Sequence, residues 1–302
     1  MKIKKIIALA LATATVFSMS IPVFADSASN TVVCLGADLS DTEKNTVYGL
    51  LSLDDATLAN STVITVTNEE EHQYLDTYLP ADVIGSRALS SCIVREASEG
   101  DGIHVSTHNI SYCTEKMYQN ALATAGMKNA EVVVAGPFEL SGTAALVGAL
   151  KAYSEMTGQL IPAEAIETAT NEIVTTSTVA ENIEDQDKAA ELIAAVKEIA
   201  ATNDLKSDED IKKAIDDVAG QLGITLTDDD KTLIITYIKQ FVSIDIDIDQ
   251  IKSQAPGIYD ELKGNGIDLS QYGISSSEFT GILGKLAELW NSIRGFFQNL
   301  FG

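Results

Sequence analysis

The hydrophobic pattern of this chain changes near residue 160, and this change limits the fold more than any other feature of the sequence. Before residue 160, short β-branched or continuously apolar runs alternate with stretches of helical periodicity. After Pro162, almost only helical periodicity remains. The pattern predicts an α/β or α+β domain over residues 26–160, with about five strands in a mixed sheet, followed by an all-α helical region over 161–272.

Start and stop signals delimit the elements of the first region. The predicted strands are 31–37, 61–67, 89–97, 102–108 and 130–136. The third and fourth strands flank the turn-like sequence SEGD, which predicts a hairpin. A capping box from Ser40 to Glu43 predicts the first helix, and Asn68 is the predicted N-cap of the second. The last helix of the region is predicted from Ser141 to Thr157, with Gly158 as its stop.

The second region repeats one pattern at the start of its helices, a short capping side chain with an acid three residues later. Ser207 with Asp210 and Thr227 with Asp230 are examples. Between two of these helices, the sequence SIDIDID alternates isoleucine and aspartate. A calcium loop counted from Asp245 would need glycine at its sixth position and glutamate at its twelfth, where this chain has Gln250 and Pro256. The segment is therefore predicted to be an extended joint that leads into a helix.

Residues 1–25 have the order of a secretory signal peptide. Lys2, Lys4 and Lys5 precede an apolar stretch from Ile6 to about Met19, and the sequence PVFA then ends in the small residue Ala25. We therefore expect an exported protein, and no later segment holds the roughly 18 consecutive apolar residues of a membrane span. The whole chain has a formal charge of −24, and the leader contains only basic charges. Such an acidic surface is repelled by nucleic acid, so no nucleic-acid partner is predicted.

Three cysteines, Cys34, Cys92 and Cys113, are an odd number for an exported protein. The favoured interpretation is that they are small buried residues, since free cysteine is among the most buried residue types. A Cys92–Cys113 disulfide is the alternative, because sequence alone does not fix the pairing.

The sequence VVVAGPFELSGTAAL carries the candidate ligand site. A buried strand ends at Gly136, and the turn through Ser141, Gly142 and Thr143 opens a helix whose first N–H groups can bind an anion or contact a glycan. The alternative is that serine and glycine only cap the helix and let it pack closely on the sheet. A phosphate-binding P-loop is excluded, because Gly142 occupies the position of its lysine.

A second, weaker candidate site combines two histidines with a cysteine. His104 and His108 lie on one face of a predicted strand, and Cys113 follows shortly after. The three residue types could bind zinc, or His108 could activate Cys113 as a nucleophile. Two histidines on the solvent face of an edge strand would give the same pattern. No cofactor is predicted.

The C-terminal segment, residues 273–302, is predicted to form an amphipathic helix with an aromatic apolar face. That face consists of Ile282, Leu286, Leu289, Trp290, Ile293, Phe296, Phe297 and Leu300. Such a helix can lie on a membrane surface, pair with a protein partner, or dock on the protein's own helices. All three interpretations remain open at the level of sequence.

From Cys34 to about Ser270 the chain resembles the YpuA-like secreted proteins of Firmicutes, a family with a domain of unknown function (number one thousand and two). The stretches that carry the resemblance are GADLS, IGSRALSSCIV, THNISYCTEKMYQNALATAG and AEVVVAGPFELSGTAALVGALKAYSEMTG. The resemblance implies an exported, envelope-associated bacterial protein with an α/β part followed by helices. It implies no activity and no catalytic residues. This chain departs from the family by its Cys92 and Cys113.

The function expected from these features is that of an exported, cell-envelope-associated protein of a Gram-positive bacterium, which binds a ligand or partner without catalysing a reaction. One alternative is a hydrolase that acts on a cell-wall polymer through Ser141 or a neighbouring carboxylate. Another is a metal-binding or small-ligand-binding module. No catalytic signature such as G-x-S-x-G, H-E-x-x-H or S-x-x-K occurs in the chain.

Overall fold

The computed structural model describes residues 31–244, 248–255, 258 and 262–274. These residues form a five-stranded mixed sheet followed by a series of helices, which confirms the predicted fold class. The leader at 1–25 and all eight apolar residues predicted for the C-terminal contact face lie outside the described residues. None of the helices that the structure describes is long and apolar enough to cross a membrane.

The sheet has the strand order β2-β1-β3-β5-β4. Its strands are β1 (Thr31–Gly36), β2 (Thr62–Val66), β3 (Ser91–Glu96), β4 (Ile103–Ile110) and β5 (Ala130–Leu140). β3 is antiparallel to both of its neighbours, while β1 pairs with β2 and β4 with β5 in parallel. The other four strands therefore all run in the same direction, and their carboxyl ends meet at one edge of the sheet.

The predicted hairpin of the third and fourth strands is wrong. β3 and β4 do not pair with each other, because β5 lies between them, antiparallel to β3 and parallel to β4. The reason is visible in the burial of β5, whose Val132, Val134 and Ala135 are inaccessible to solvent. A strand with this many buried apolar residues is more stable in the interior of a sheet, where both of its edges are paired.

Helices cover both faces of the sheet. On one face, α1 (Asp41–Leu50) and α2 (Asp55–Ala59) close a small apolar layer over β1 and β3. On the other face, α6 (Thr143–Thr157) packs against β1 and β3, and Gly148 of this helix lies against Cys34. Three further helices surround that face: α3 (Asn68–Leu75), α4 (Ala81–Ile84) and α5 (Glu115–Thr124).

The helical region continues the larger of the two cores. Its helices are α7 (Ala163–Ile183), α8 (Gln186–Thr202), α9 (Asp208–Leu222), α10 (Asp228–Ser243) and α11 (Ile248–Gln254). α7 and α8 pack against α5, so that the apolar side chains of both regions form one contiguous cluster. The predicted caps at Ser207 and Thr227 are confirmed. Ile244 is extended, and residues 245–247 of the predicted joint lie outside the described residues.

A buried ion pair lies where α5, α7 and α8 meet. Lys197 and Glu172 are both inaccessible, and Lys197 Nζ also donates to Asn120 Oδ1 at 2.6 Å and to Thr124 Oγ1 at 3.0 Å. Thr124 in turn donates to the second carboxylate oxygen of Glu172 at 2.6 Å. Burial lowers the pKa of Lys197 in spite of the carboxylate beside it. The network fixes α5 of the first region against the two longest helices of the second.

All three cysteines are free and buried, so their interpretation as small core residues is confirmed. The Cys92–Cys113 disulfide is not formed. Cys92 instead lies opposite Cys34 in the register of β3 and β1. Burial raises the pKa of Cys34 and of Cys113 to about 12, which leaves both thiols protonated and unreactive at neutral pH.

Candidate functional site: a cleft at the carboxyl edge of the sheet

An open cleft of about 510 Å³ lies at the edge of the sheet where the four parallel strands end. Residues near the ends of four strands form its wall: Glu71 after β2, Ser90 before β3, Tyr112 after β4, and Phe138 with Ser141 around the end of β5. In α/β sheets, ligands bind outside the carboxyl ends of the strands, because the connecting loops and helix N-termini converge there. The position of the cleft therefore makes it the candidate ligand site.

Glu71 is the buried acid of this cleft, with a relative exposure of 1%. Its Oε1 accepts a hydrogen bond from Thr143 Oγ1 at 2.9 Å, and its Oε2 accepts one from Asn68 Nδ2 at 3.2 Å. Burial raises the pKa of Glu71 to about 7, although both hydrogen bonds act in the opposite direction. At neutral pH this wall of the cleft therefore holds a carboxyl group that both donates and accepts protons.

The predicted N-cap of α3 is off by one residue, and the difference explains how Glu71 is held. Thr67 is the N-cap, and it forms a capping box with Glu70. Asn68, freed from capping, directs its side-chain amide to Glu71 and to the carbonyl of Gly85.

The N-terminus of α6 forms the floor of the cleft. Gly142 is its N-cap in a left-handed conformation, with φ of 95°, and Tyr118 donates from its hydroxyl to the Gly142 carbonyl at 2.6 Å. Ser90 Oγ accepts from the amide of Ala145 at 2.8 Å. The amides of Thr143 and Ala144, in the first turn, have no acceptor within the helix, as at every α-helix start. They are the groups that a ligand in the cleft can bind.

Ser141 extends the polar wall that begins at Glu71. Its hydroxyl lies 3.2 Å from that of Thr143, which itself contacts Glu71. The two hydroxyls and the carboxyl thus form a continuous hydrogen-bonded chain along one side of the cleft. Such a chain can accept and donate hydrogen bonds to a polar ligand, and it can pass a proton between ligand and carboxyl group.

The four residues predicted for the ligand site divide into two groups. Ser141 and Thr143 line the cleft, whereas Gly136 and Gly142 lie beneath its surface and shape the backbone. A side chain at Gly136 would collide with the carbonyl oxygens of Phe138 and Asn109, at 2.7 and 2.9 Å. The glycines therefore position the hydroxyl residues, which face the cleft.

The structure does not bring His104, His108 and Cys113 together. Both histidines are exposed on β4, and the ring of His104 contacts the carbonyl of Asp101, while Cys113 is buried on the side of the sheet that faces α5 and α6. Among the residues that the structure describes, no group of three or more histidine, cysteine or acidic side chains has the arrangement of a metal site.

Of the residues that line the cleft, only Ser141 and Thr143 were predicted from the sequence; Glu71, Ser90, Tyr112 and Phe138 are among those that were not. Phe138 follows Gly136-Pro137 within the very stretch that predicted the site, and half of its surface is exposed. An aromatic residue between two polar turns was the available signal. For Glu71 no local signal exists, because it lies on another helix 72 residues before Thr143.

Comparison with known proteins places the chain in a family. The family model described as "Protein of unknown function (DUF1002)" matches residues 35–258. This chain belongs to the DUF1002 family. A member of Bacillus subtilis (strain 168), described as "Uncharacterized protein YpuA", is 39% identical over 280 residues, which cover 91% of this chain and 92% of the relative. No solved structure matches the chain. The DUF1002 match spans every residue of the cleft described above.

Proposed function

We propose that this protein is an exported binding protein of the cell envelope, and that the cleft beside Glu71 and Thr143 is its ligand site. The single observation that carries the binding role is the cleft itself, an open volume of about 510 Å³ at the carboxyl edge of the sheet with polar groups converging on it. The role requires no reaction. A ligand gains hydrogen bonds from the Ser141 and Thr143 hydroxyls and from the first amides of α6.

Export is supported by the basic, apolar and small order of residues 1–25. Envelope association is supported by residues 273–302, whose apolar positions recur at helical spacing. In the proposal this segment contacts a membrane surface or a protein partner, while the cleft binds a polar component of the envelope. The acidic charge of the chain argues against nucleic acid as that component.

Expression of the full chain in a Gram-positive host, followed by fractionation and mass determination, tests the location. We expect a mature protein that begins at Asp26 and sediments with the envelope. Deletion of residues 280–302 should release it into the soluble fraction. A full-length protein that retains residues 1–25 in the cytosol would contradict the proposal.

Co-sedimentation with purified cell walls of the host tests the ligand site. We expect Thr143→Val, which loses the hydroxyl beside Glu71, to reduce binding, whereas Thr236→Ala on the exposed face of α10 should bind normally. Equal binding by both variants would show that the ligand does not bind in the cleft.

A hydrolase is the second candidate function, and one observation favours it. Glu71, with its pKa raised to about 7, is connected through Thr143 to Ser141 in the cleft, so that it can serve as a general acid or base near neutral pH. Incubation with purified cell walls separates the two functions. Release of soluble fragments by the wild type, but not by Glu71→Gln, would establish hydrolysis; the binding role predicts no release by either protein.

A further inference from the structure

We infer that the cleft takes a saccharide chain, and that this chain runs past Tyr112 into an adjoining cavity. The inference rests on the proposed function and adds to it the class of ligand and its extended binding mode. Three independent features of the described residues lead to it: an exposed aromatic ring at the cleft mouth, the neutralised basic group in its wall, and a second cavity that shares two lining residues with the first.

Phe138 is the first of these features. It lines the cleft and is 50% exposed, although its neighbours on β5 from Val132 to Gly136 are largely buried. An exposed phenyl ring beside hydroxyl groups matches the two-sided chemistry of a sugar, since the C–H face of the pyranose covers the ring and its hydroxyls bind the polar wall. Ser141 and Thr143 provide that polar wall.

The charges of the cleft select against an anionic ligand. Arg87 is the basic residue in the wall, but its guanidinium already pairs with Glu43 at 2.6 Å and donates to the Asp38 carbonyl at 2.8 Å. The bonds from Arg87, together with those from Ser40, lower the pKa of Glu43 to about 2, so the carboxylate opposite Arg87 is charged at neutral pH. With Arg87 neutralised, Glu71 and Asp82 give the wall an acidic balance. Neutral or cationic sugars therefore fit better than phosphorylated or carboxylated ones.

The second cavity provides room for a ligand that is longer than the cleft. It has a volume of about 560 Å³ and lies between the β4–α5 connection and the α7–α8 turn. Ser111 and Tyr112 line both this cavity and the cleft, so the two are adjacent and meet at these residues. Tyr112 is half-buried at this junction, and burial raises the pKa of its hydroxyl to about 12, so the hydroxyl remains a hydrogen-bond donor at neutral pH. Each cavity has the size of a small-molecule site, so together they accommodate several linked sugar rings.

Isothermal titration with β-1,4-linked N-acetylglucosamine dimer and tetramer tests the inference. We expect the tetramer to bind about tenfold or more tightly than the dimer, because only the tetramer reaches both cavities. Phe138→Ala should weaken both sugars by a similar factor, and Phe138→Tyr should restore binding. Tyr112→Ala should remove the advantage of the tetramer, whereas Tyr112→Phe should keep it. Leu160→Ala, at an exposed apolar residue outside both cavities, is the matched control and should change nothing.

The outcomes distinguish this inference from the proposed function. Equal affinities for dimer and tetramer, or a tetramer whose binding does not depend on Phe138, would overturn the extended mode. Absence of binding to these sugars and to their cationic deacetylated forms would overturn the saccharide assignment, while cell-wall binding that depends on Thr143 would still support a ligand in the cleft. A preference for oligogalacturonate would overturn the charge argument.

Discussion

Thr143 Oγ1 lies 2.9 Å from Oε1 of Glu71 and joins the first residue of α6 to the buried acid of α3. The contact spans 72 positions of the chain and connects two helices that follow different strands of the sheet. Because the carboxyl group is inaccessible and its pKa is raised to about 7, its proton is exchanged in the physiological range. The protonation state of one side chain thus changes both the wall of the cleft and the stability of the fold.

Stability should fall as the pH rises from about 4.5 to 7. Glu71 binds its proton more tightly in the folded than in the unfolded chain, so the folded state holds more protons across this interval and loses stability with increasing pH. The size of the shift corresponds to roughly 3 kcal/mol of unfolding free energy. Urea unfolding at several pH values measures it, and Glu71→Gln should flatten this part of the profile.

Glu70→Gln is the matched control for the pH experiment. Burial alone would raise the pKa of Glu70, but the bonds from Lys151 and Thr67 outweigh it and hold the pKa below its ordinary value. Its contribution to stability is therefore lost only as the pH falls through that lowered pKa. The variant should keep the decline between pH 4.5 and 7; a flat profile in this variant would contradict the assignment to Glu71.

Lys197→Met should cost about 3–5 kcal/mol of unfolding free energy, because it leaves the Glu172 carboxylate buried without its cation. The double variant Lys197→Met with Glu172→Gln should recover part of this loss, since the remaining amide is uncharged. Urea unfolding of both proteins measures the difference. Lys206→Met serves as the control, because its ion pair with Asp204 is exposed and worth at most about 1 kcal/mol.

Gly142→Ala should destabilise the protein more than Gly158→Ala, although both glycines have left-handed backbones that flank the same helix. A Cβ at Gly142 would lie 2.6 Å from the hydroxyl oxygen of Tyr118, whereas a Cβ at Gly158 would meet no atom within 4 Å. The second substitution therefore costs only backbone strain, about 1 kcal/mol, and the first adds a steric clash. Thermal unfolding compares the two, and equal losses would show that the Tyr118 contact is dispensable.

The native protein should not react within minutes with a thiol reagent such as dithiobis(nitrobenzoate). The unfolded chain should release three equivalents of thionitrobenzoate, one for each cysteine. All three cysteines are buried, and burial raises the pKa of each thiol, so the reactive thiolate is scarce at neutral pH. Fewer than three equivalents in the unfolded, unreduced chain would reveal a disulfide.

The fold class was predictable because each element carries its own local signal. The capping box at Ser40, the cap at Thr227 and the glycine stop at Gly158 all depend on residues within four positions of one another. Strand pairing has no such local signal. The sequence SEGD is suited to a tight turn, but β3 and β4 gain more by each pairing with β5, which no residue near the turn indicates.

The candidate site, like the fold, was predictable only where its residues are close together in the sequence. Ser141 and Thr143 could be identified because a strand that ends beside a helix start is visible in one contiguous stretch. Glu71, Ser90 and Tyr112 join them only through the order of the strands, which brings three other connections to the same edge. Glu71 was also hidden by its sequence, since it is the last of three consecutive glutamates in the first turn of an acidic helix.

The interior position of β5 has a consequence for how this polypeptide acquires its shape. Of the strands that the structure describes, β5 is the last along the chain and lies between β3 and β4, so a fragment that stops before residue 130 leaves these two strands without their shared neighbour. During synthesis the five strands can therefore pair fully only after the chain has emerged as far as Leu140. The cleft at the edge of the sheet is complete only after that step.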